Sequence, residues 1–152
     1  MPSCERGSRL AILAQSVAAA AYVPCLTTLP AGWSFESLDV DHRGATISLT
    51  SDRADRRVEV DLLPACDTAE ATPVAPSEAG TRTYQLIESI DPRYAGRFLD
   101  VFPGGCVIIS YDFEFGVHVA LTTDVQQIVG LYPRQRLRQE LNAELDIRLD
   151  PG

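Results

Sequence analysis

The chain has 152 residues, with 13 arginines and no lysine against 21 acids, four cysteines, and a formal net charge of −8. That length favours one domain over residues 1–152, and 45% apolar residues with five Phe, five Tyr and one Trp exclude a disordered chain. An acidic balance excludes general nucleic-acid binding, which needs clustered cations, and the absence of lysine excludes Schiff-base or low-pKa lysine chemistry.

At the amino terminus Arg6 and Arg9 precede an apolar run from Leu10 to Val17 and four alanines. A signal peptide cut after Ala21 is one reading. Gln15 and Ser16 interrupt the run, Glu5 sits in the basic flank, and cleavage would remove Cys4. An amphipathic helix over residues 8–21 is the better reading, with Leu10, Leu13, Val17 and Ala21 on one face, Ser8 as N-cap and Pro24 as stop. The run is too short for a transmembrane helix.

Alternation follows. Leu38 and Val40 lie on one strand face, with Ser37, Asp39 and Asp41 on the other. His42-Arg43-Gly44 is a hairpin turn. Ala45, Ile47 and Leu49 then Val58, Val60 and Leu62 give two more strands of a meander with one buried face. Residues 64–80 hold three prolines, three acids and no base, and read as a Pro-rich mobile loop pinned near its start if Cys66 is bridged.

Strand patterning resumes at Thr83–Ile87 and Arg97–Phe102, and Pro103-Gly104-Gly105 fits a type II turn. The strand opening at Cys106 carries Val107, Ile109, Tyr111, Phe113 and Phe115 on one face and is expected to be central. Thr123 with Gln126 forms a capping box for a short helix ending at Gly130. Pro133 starts a second helix with Leu137, Leu141 and Leu145. The whole is α+β: an antiparallel sheet of about six strands in two meanders, flanked by an N-terminal helix and C-terminal helices.

Cys4, Cys25, Cys66 and Cys106 contain no C-x-x-C pair, so zinc is not expected, and no other metal or cofactor is. An even, widely spaced set suits two disulfides in an oxidising compartment, with three possible connectivities. Cys4–Cys25 and Cys66–Cys106 are favoured, the latter because Cys66 ends one meander and Cys106 opens the long strand. Loop closure assigns each about 3 to 4 kcal/mol.

Chemistry-bearing sets are few. Asp39-Val40-Asp41-His42-Arg43-Gly44 resembles the start of a calcium loop, but Arg43 and Thr50 occupy ligand positions. Ser110, Asp112 and His118 lack a nucleophile elbow. Cys106 after two glycines would be a nucleophile only if unpaired. Asp112 and Glu114 share a strand face about 7 Å apart, a spacing compatible with carboxylate hydrolysis and equally with a wet surface. Arg134, Arg136 and Arg138 cluster at a helix start, where cations oppose the helix dipole. Arg136 can pair with Glu140, and the three together suggest contact with an anion or lipid headgroup.

The segments Tyr22-Val23-Pro24-Cys25-Leu26, Leu29-Pro30-Ala31-Gly32-Trp33-Ser34-Phe35, Ser51-Asp52-Arg53-Ala54 and Phe102-Pro103-Gly104-Gly105-Cys106-Val107 resemble a family of actinobacterial cell-envelope proteins. The resemblance covers most of residues 4–145. It implies an extracytoplasmic domain beside a membrane anchor, from which this chain departs by lacking the anchor, and it lends no catalytic residue. The expectation is a non-enzymatic, membrane-proximal envelope domain that binds a ligand or protein partner. The rivals are an extracytoplasmic hydrolase using Asp112 and Glu114, and a protein that dimerises through its helices.

Overall fold

The computed structural model of the chain describes residues 1–5 and 7–149. The expected Ser8 cap, and Leu145 in the leucine series, fall on side chains outside the described residues. After a 3-10 turn at Gly7–Leu10 come α1 (Ala11–Ser16), β1 (Tyr22–Leu26), β2 (Trp33–Val40), β3 (Ala45–Ser51) and β4 (Val58–Leu63). The second half holds β5 (Thr72–Val74), β6 (Arg82–Ser89), β7 (Arg93–Phe102), β8 (Gly105–Glu114), α2 (His118–Ile128), β9 (Val129–Pro133) and α3 (Arg134–Leu149).

Seven strands form one antiparallel sheet in the order β2-β3-β4-β8-β7-β6-β5, and β1 and β9 form a separate two-stranded sheet. The period-2 pattern sets the faces. Ile47 opposes Val60, Val60 opposes Ile109, and Ile109 opposes Phe98, all buried on one face. Thr46 opposite Asp61, and Glu59 opposite Ser110, lie on the other. The helices pack on the apolar face, where Leu10, Leu13, Leu121, Val125 and Leu137 join the strands in one core.

The two expected meanders therefore exist and meet edge to edge at β4 and β8. Leu63 opposes Cys106 in that seam, and Cys106 is bonded to Cys66 just beyond β4. Cys4 is bonded to Cys25. Both favoured pairings are present. The sheet's two outer strands are irregular: β2 has a bulge between Phe35 and Ser37, and β5 is three residues with Pro73 at its centre.

Several expectations are corrected. The helix over residues 8–21 stops at Ser16. Of its expected apolar face, Leu10, Leu13 and Val17 are buried, but only Leu13 lies within α1 and Ala21 is partly exposed. Beyond Val17, however, the alanines are taken by tertiary hydrogen bonds, Ala21 N–H to Pro103 O and Arg134 N–H to Ala21 O, which outweigh alanine's helix preference. Pro24 is not a stop but part of β1, opposite Leu131. The segment 64–80 is not a free loop. It contributes β5 to the sheet, the Tyr22 hydroxyl donates to Ala79 O, and the Ser77 hydroxyl donates to Asp100 Oδ1.

Helix α2 begins at His118, five residues before the expected capping box, because Leu121, Val125 and Ile128 supply a buried face. Thr123 sits inside it and donates to the Val119 carbonyl. Gly130 lies in β9 rather than ending a helix, where a Cβ would sit 3.0 Å from the Cys4 sulfur and 3.2 Å from that of Cys25, close enough that the disulfide would have to give slightly. Pro133 closes β9 and α3 starts one residue later. Phe115 lies past the end of β8 and is half exposed rather than part of the buried stripe. Gly104 holds a φ of 77°, as the type II turn requires.

Candidate functional site: a groove between the terminal helices

The six residues of α1 are too few to be stable as a helix alone. Three attachments hold this segment. The Cys4–Cys25 bond ties the chain ahead of it to β1. Leu10 and Leu13 bury its inner face. At its carboxyl end, where carbonyls lack helical partners, Arg134 reaches over from α3. Its Nη2 donates to Ala14 O and Val17 O at 2.7 Å each, and its Nε donates to Ala20 O.

Held this way, α1 and α3 do not close on each other. Between them lies a hollow of about 450 Å³, with Ala11, Ala14 and Ala18 on one wall and Leu137 and Leu141 on the other. Exposed Gln15, Arg138 and Asn142 complete it. A second hollow of about 490 Å³, lined by Tyr22, Pro133 and Gln135 among others, shares Arg134 and Arg138 with the first. The two are lobes of one groove with the arginines at the join, the first mostly apolar and the second more mixed, with a larger polar share. Each volume is in the range of about 300–1,000 Å³ usual for small-molecule sites.

The three arginines of the sequence cluster separate in space. Positions 134 and 138 are one helical turn apart on the groove side. Arg136 points elsewhere, pairing with Glu140 at 3.1 Å as expected and lying 5.1 Å over the Tyr132 ring. Glu140 is also the acceptor of the Tyr132 hydroxyl. Burial, and then the neighbouring Arg138 charge, hold the Arg134 guanidinium below its ordinary pKa. Among the described residues, no carboxylate forms an ion pair with Arg134 or Arg138.

The chain matches no family model, no curated protein and no solved structure.

The other candidate sets disperse. Cys106 is disulfide-bonded and carries no thiolate. Ser110, Asp112 and His118 do not converge. His118 stacks between Tyr94 and Phe115, each centroid 4.7 Å away, on the helix side of the sheet, and its Nδ1 accepts the Gly116 N–H. Ser110 and Asp112 lie on the opposite face, aligned with Arg97 and Ala95. Asp112 spends both oxygens on arginines, Oδ1 on Arg93 at 2.6 Å and Oδ2 on Arg56. Arg93 also grips Asp55 with two hydrogen bonds. Glu114 is exposed at the end of β8. A carboxylate with both oxygens engaged by guanidinium groups is poorly placed to reach a substrate proton.

Asp41 binds the hairpin turn instead of a cation. It accepts from the Arg43 and Gly44 N–H groups, and the Arg43 amide is the main reason its carboxyl lies below the ordinary value. Among the described residues, no three His, Cys, Asp or Glu side chains gather as a metal site. No described helix is long and apolar enough to cross a membrane.

The groove itself is absent from the sequence reading. Its signal was there: Ala11, Ala14 and Ala18 recur at helical spacing, and small residues on one flank leave room for a ligand or a neighbour. What could not be read was that α3, more than a hundred positions away, stands opposite.

Proposed function

We propose that this chain is a non-catalytic, extracytoplasmic binding domain of the cell envelope, and that its ligand occupies the groove between α1 and α3. The observation that carries the reading is the groove's construction. Two helical segments from opposite ends of the chain are tied in place by a disulfide and an arginine clamp, and a hollow with largely apolar walls remains between them. The two disulfides support an oxidising compartment.

A neutral apolar fluorophore, N-phenyl-1-naphthylamine, tests the site. It is expected to bind the oxidised protein saturably at a single site, and Ala18→Trp, which fills the groove from an exposed position, is expected to abolish the signal. Saturable binding unaffected by Ala18→Trp, or no binding, overturns the assignment. Alkylating thiols in intact cells of a natural source tests the compartment: four alkylated cysteines in the native protein would overturn it.

A further inference from the structure

We propose that the groove takes a single-chain amphiphile with an anionic head, its alkyl tail along the alanines of α1 and its head on Arg138. This rests on the groove being the ligand site and goes on to name the ligand's chemistry.

Charge favours an anionic head. The chain carries a formal −8, yet at the join of the two lobes two guanidinium groups stand one helical turn apart with no described carboxylate between them. Arg134 cannot turn away, because its Nε and Nη2 are committed to the carbonyls of Ala14, Val17 and Ala20. Its charge therefore stays partly buried next to Arg138. An anion at that point relieves the repulsion and offers guanidinium the geometry it binds best, a carboxylate or phosphate. Arg138 is exposed and has no described ion-pair partner, so it can reach the head without giving up a contact.

Shape then favours an alkyl tail. Of the side chains lining the first lobe, Ala11, Ala14, Ala18, Leu137 and Leu141 cannot satisfy a polar group, and Gln15, Arg138 and Asn142 are exposed. One tail ending in one head fits both lobes in order, with the apolar part in the first and the charge at the arginines.

The test uses the oxidised full chain and four probes kept below their micelle thresholds: decyl phosphate, decanol, decyltrimethylammonium and inorganic phosphate. Binding is followed by calorimetry and by backbone amide shifts of α1 and α3. Decyl phosphate is expected to bind at least tenfold more tightly than decanol and decyltrimethylammonium, and inorganic phosphate to give no saturable shift. Shortening the tail should weaken binding by up to about fourfold per methylene. Arg138→Gln should cost decyl phosphate at least tenfold and leave decanol unchanged.

Equal affinity for decanol and decyl phosphate, or indifference to Arg138→Gln, overturns the anionic head while Ala18→Trp-sensitive binding preserves the groove. Inorganic phosphate binding as tightly as decyl phosphate overturns the tail. If no probe moves the groove amides and N-phenyl-1-naphthylamine also fails, the groove reading falls as a whole.

Discussion

The Arg134 guanidinium sits 2.7 Å from the Val17 carbonyl oxygen, a contact spanning 117 positions of chain. Together with Ala14 and Ala20 it gives one side chain three acceptors at the frayed end of α1. Arg134→Met removes a charged donor and strands those carbonyls, and is expected to destabilise the protein by about 2–4 kcal/mol. Arg134→Lys should recover less than half, since a single ammonium cannot span the same fork. Urea denaturation reads both; a loss below about 0.5 kcal/mol for the methionine variant would show that the clamp contributes nothing.

The two disulfides differ in what they close. Cys66–Cys106 encloses a separation of 40 residues, for which chain entropy gives about 4 kcal/mol, and Cys4–Cys25 one of 21, for about 3 kcal/mol. Replacing each pair by Ser in turn should order the denaturation midpoints accordingly. Loss of Cys4–Cys25 should, in addition, speed amide exchange across residues 1–16 while leaving β8 protected. Equal protection of that segment in both variants would count against its dependence on the staple.

These two contacts also mark what the sequence could and could not disclose. The strands around Ala45, Ile47 and Leu49, and around Val107, Ile109 and Tyr111, were legible because one face is buried and the other wet, which writes a period of two into the residues. β1 was not. Its burial runs almost unbroken from Val23 to Leu26, it contains a proline, and its partner lies about a hundred positions later. No local pattern encodes such a pairing. The arginine cluster was visible as composition, but its members divide by helical angle, and the role of Arg134 depends on carbonyls brought from the other terminus.

Alkaline pH should unfold the protein through its tyrosines. Burial raises the Tyr111 hydroxyl above its ordinary value, and burial with the Glu140 hydrogen bond raises Tyr132. Both stay protonated in the folded chain when the unfolded chain begins to ionise near about pH 10. The unfolded state then binds fewer protons, so this stabilisation is complete below about pH 10 and lost as pH rises through the folded values. Tyr111→Phe should flatten the fall in denaturation midpoint between about pH 10 and 11.5; an unchanged slope in both Tyr111→Phe and Tyr132→Phe would refute the assignment.

At the acid end, the Arg93 hydrogen bonds hold the Asp55 carboxyl below its ordinary value. That contribution is present above about pH 4, where the unfolded carboxyl is ionised, and is lost as pH falls through the folded value. Asp55→Asn should remove a small part of the acid-side slope in a pH titration of stability, and a slope identical to the parent would argue against the pairing in solution.

Asp112 provides a check on the arginine network of the sheet's outer face. With its side chain 29% exposed and bonded to Arg93 and Arg56, Asp112→Asn should cost about 1 kcal/mol, less at high salt. A double-mutant cycle with Arg93→Met isolates the coupling. A coupling energy of zero would show the network to be ornamental.

The bulge in β2 and the brevity of β5 bear on how the molecule meets others. A sheet border that is long and straight invites a foreign segment to lie alongside and extend it, the route to both strand-addition complexes and fibrils. Here one border is kinked between Phe35 and Ser37 and the other is a three-residue stub whose central Pro73 has no N–H to offer. Backbone templating is hindered at both borders of the seven-stranded sheet, which leaves recognition there to side chains.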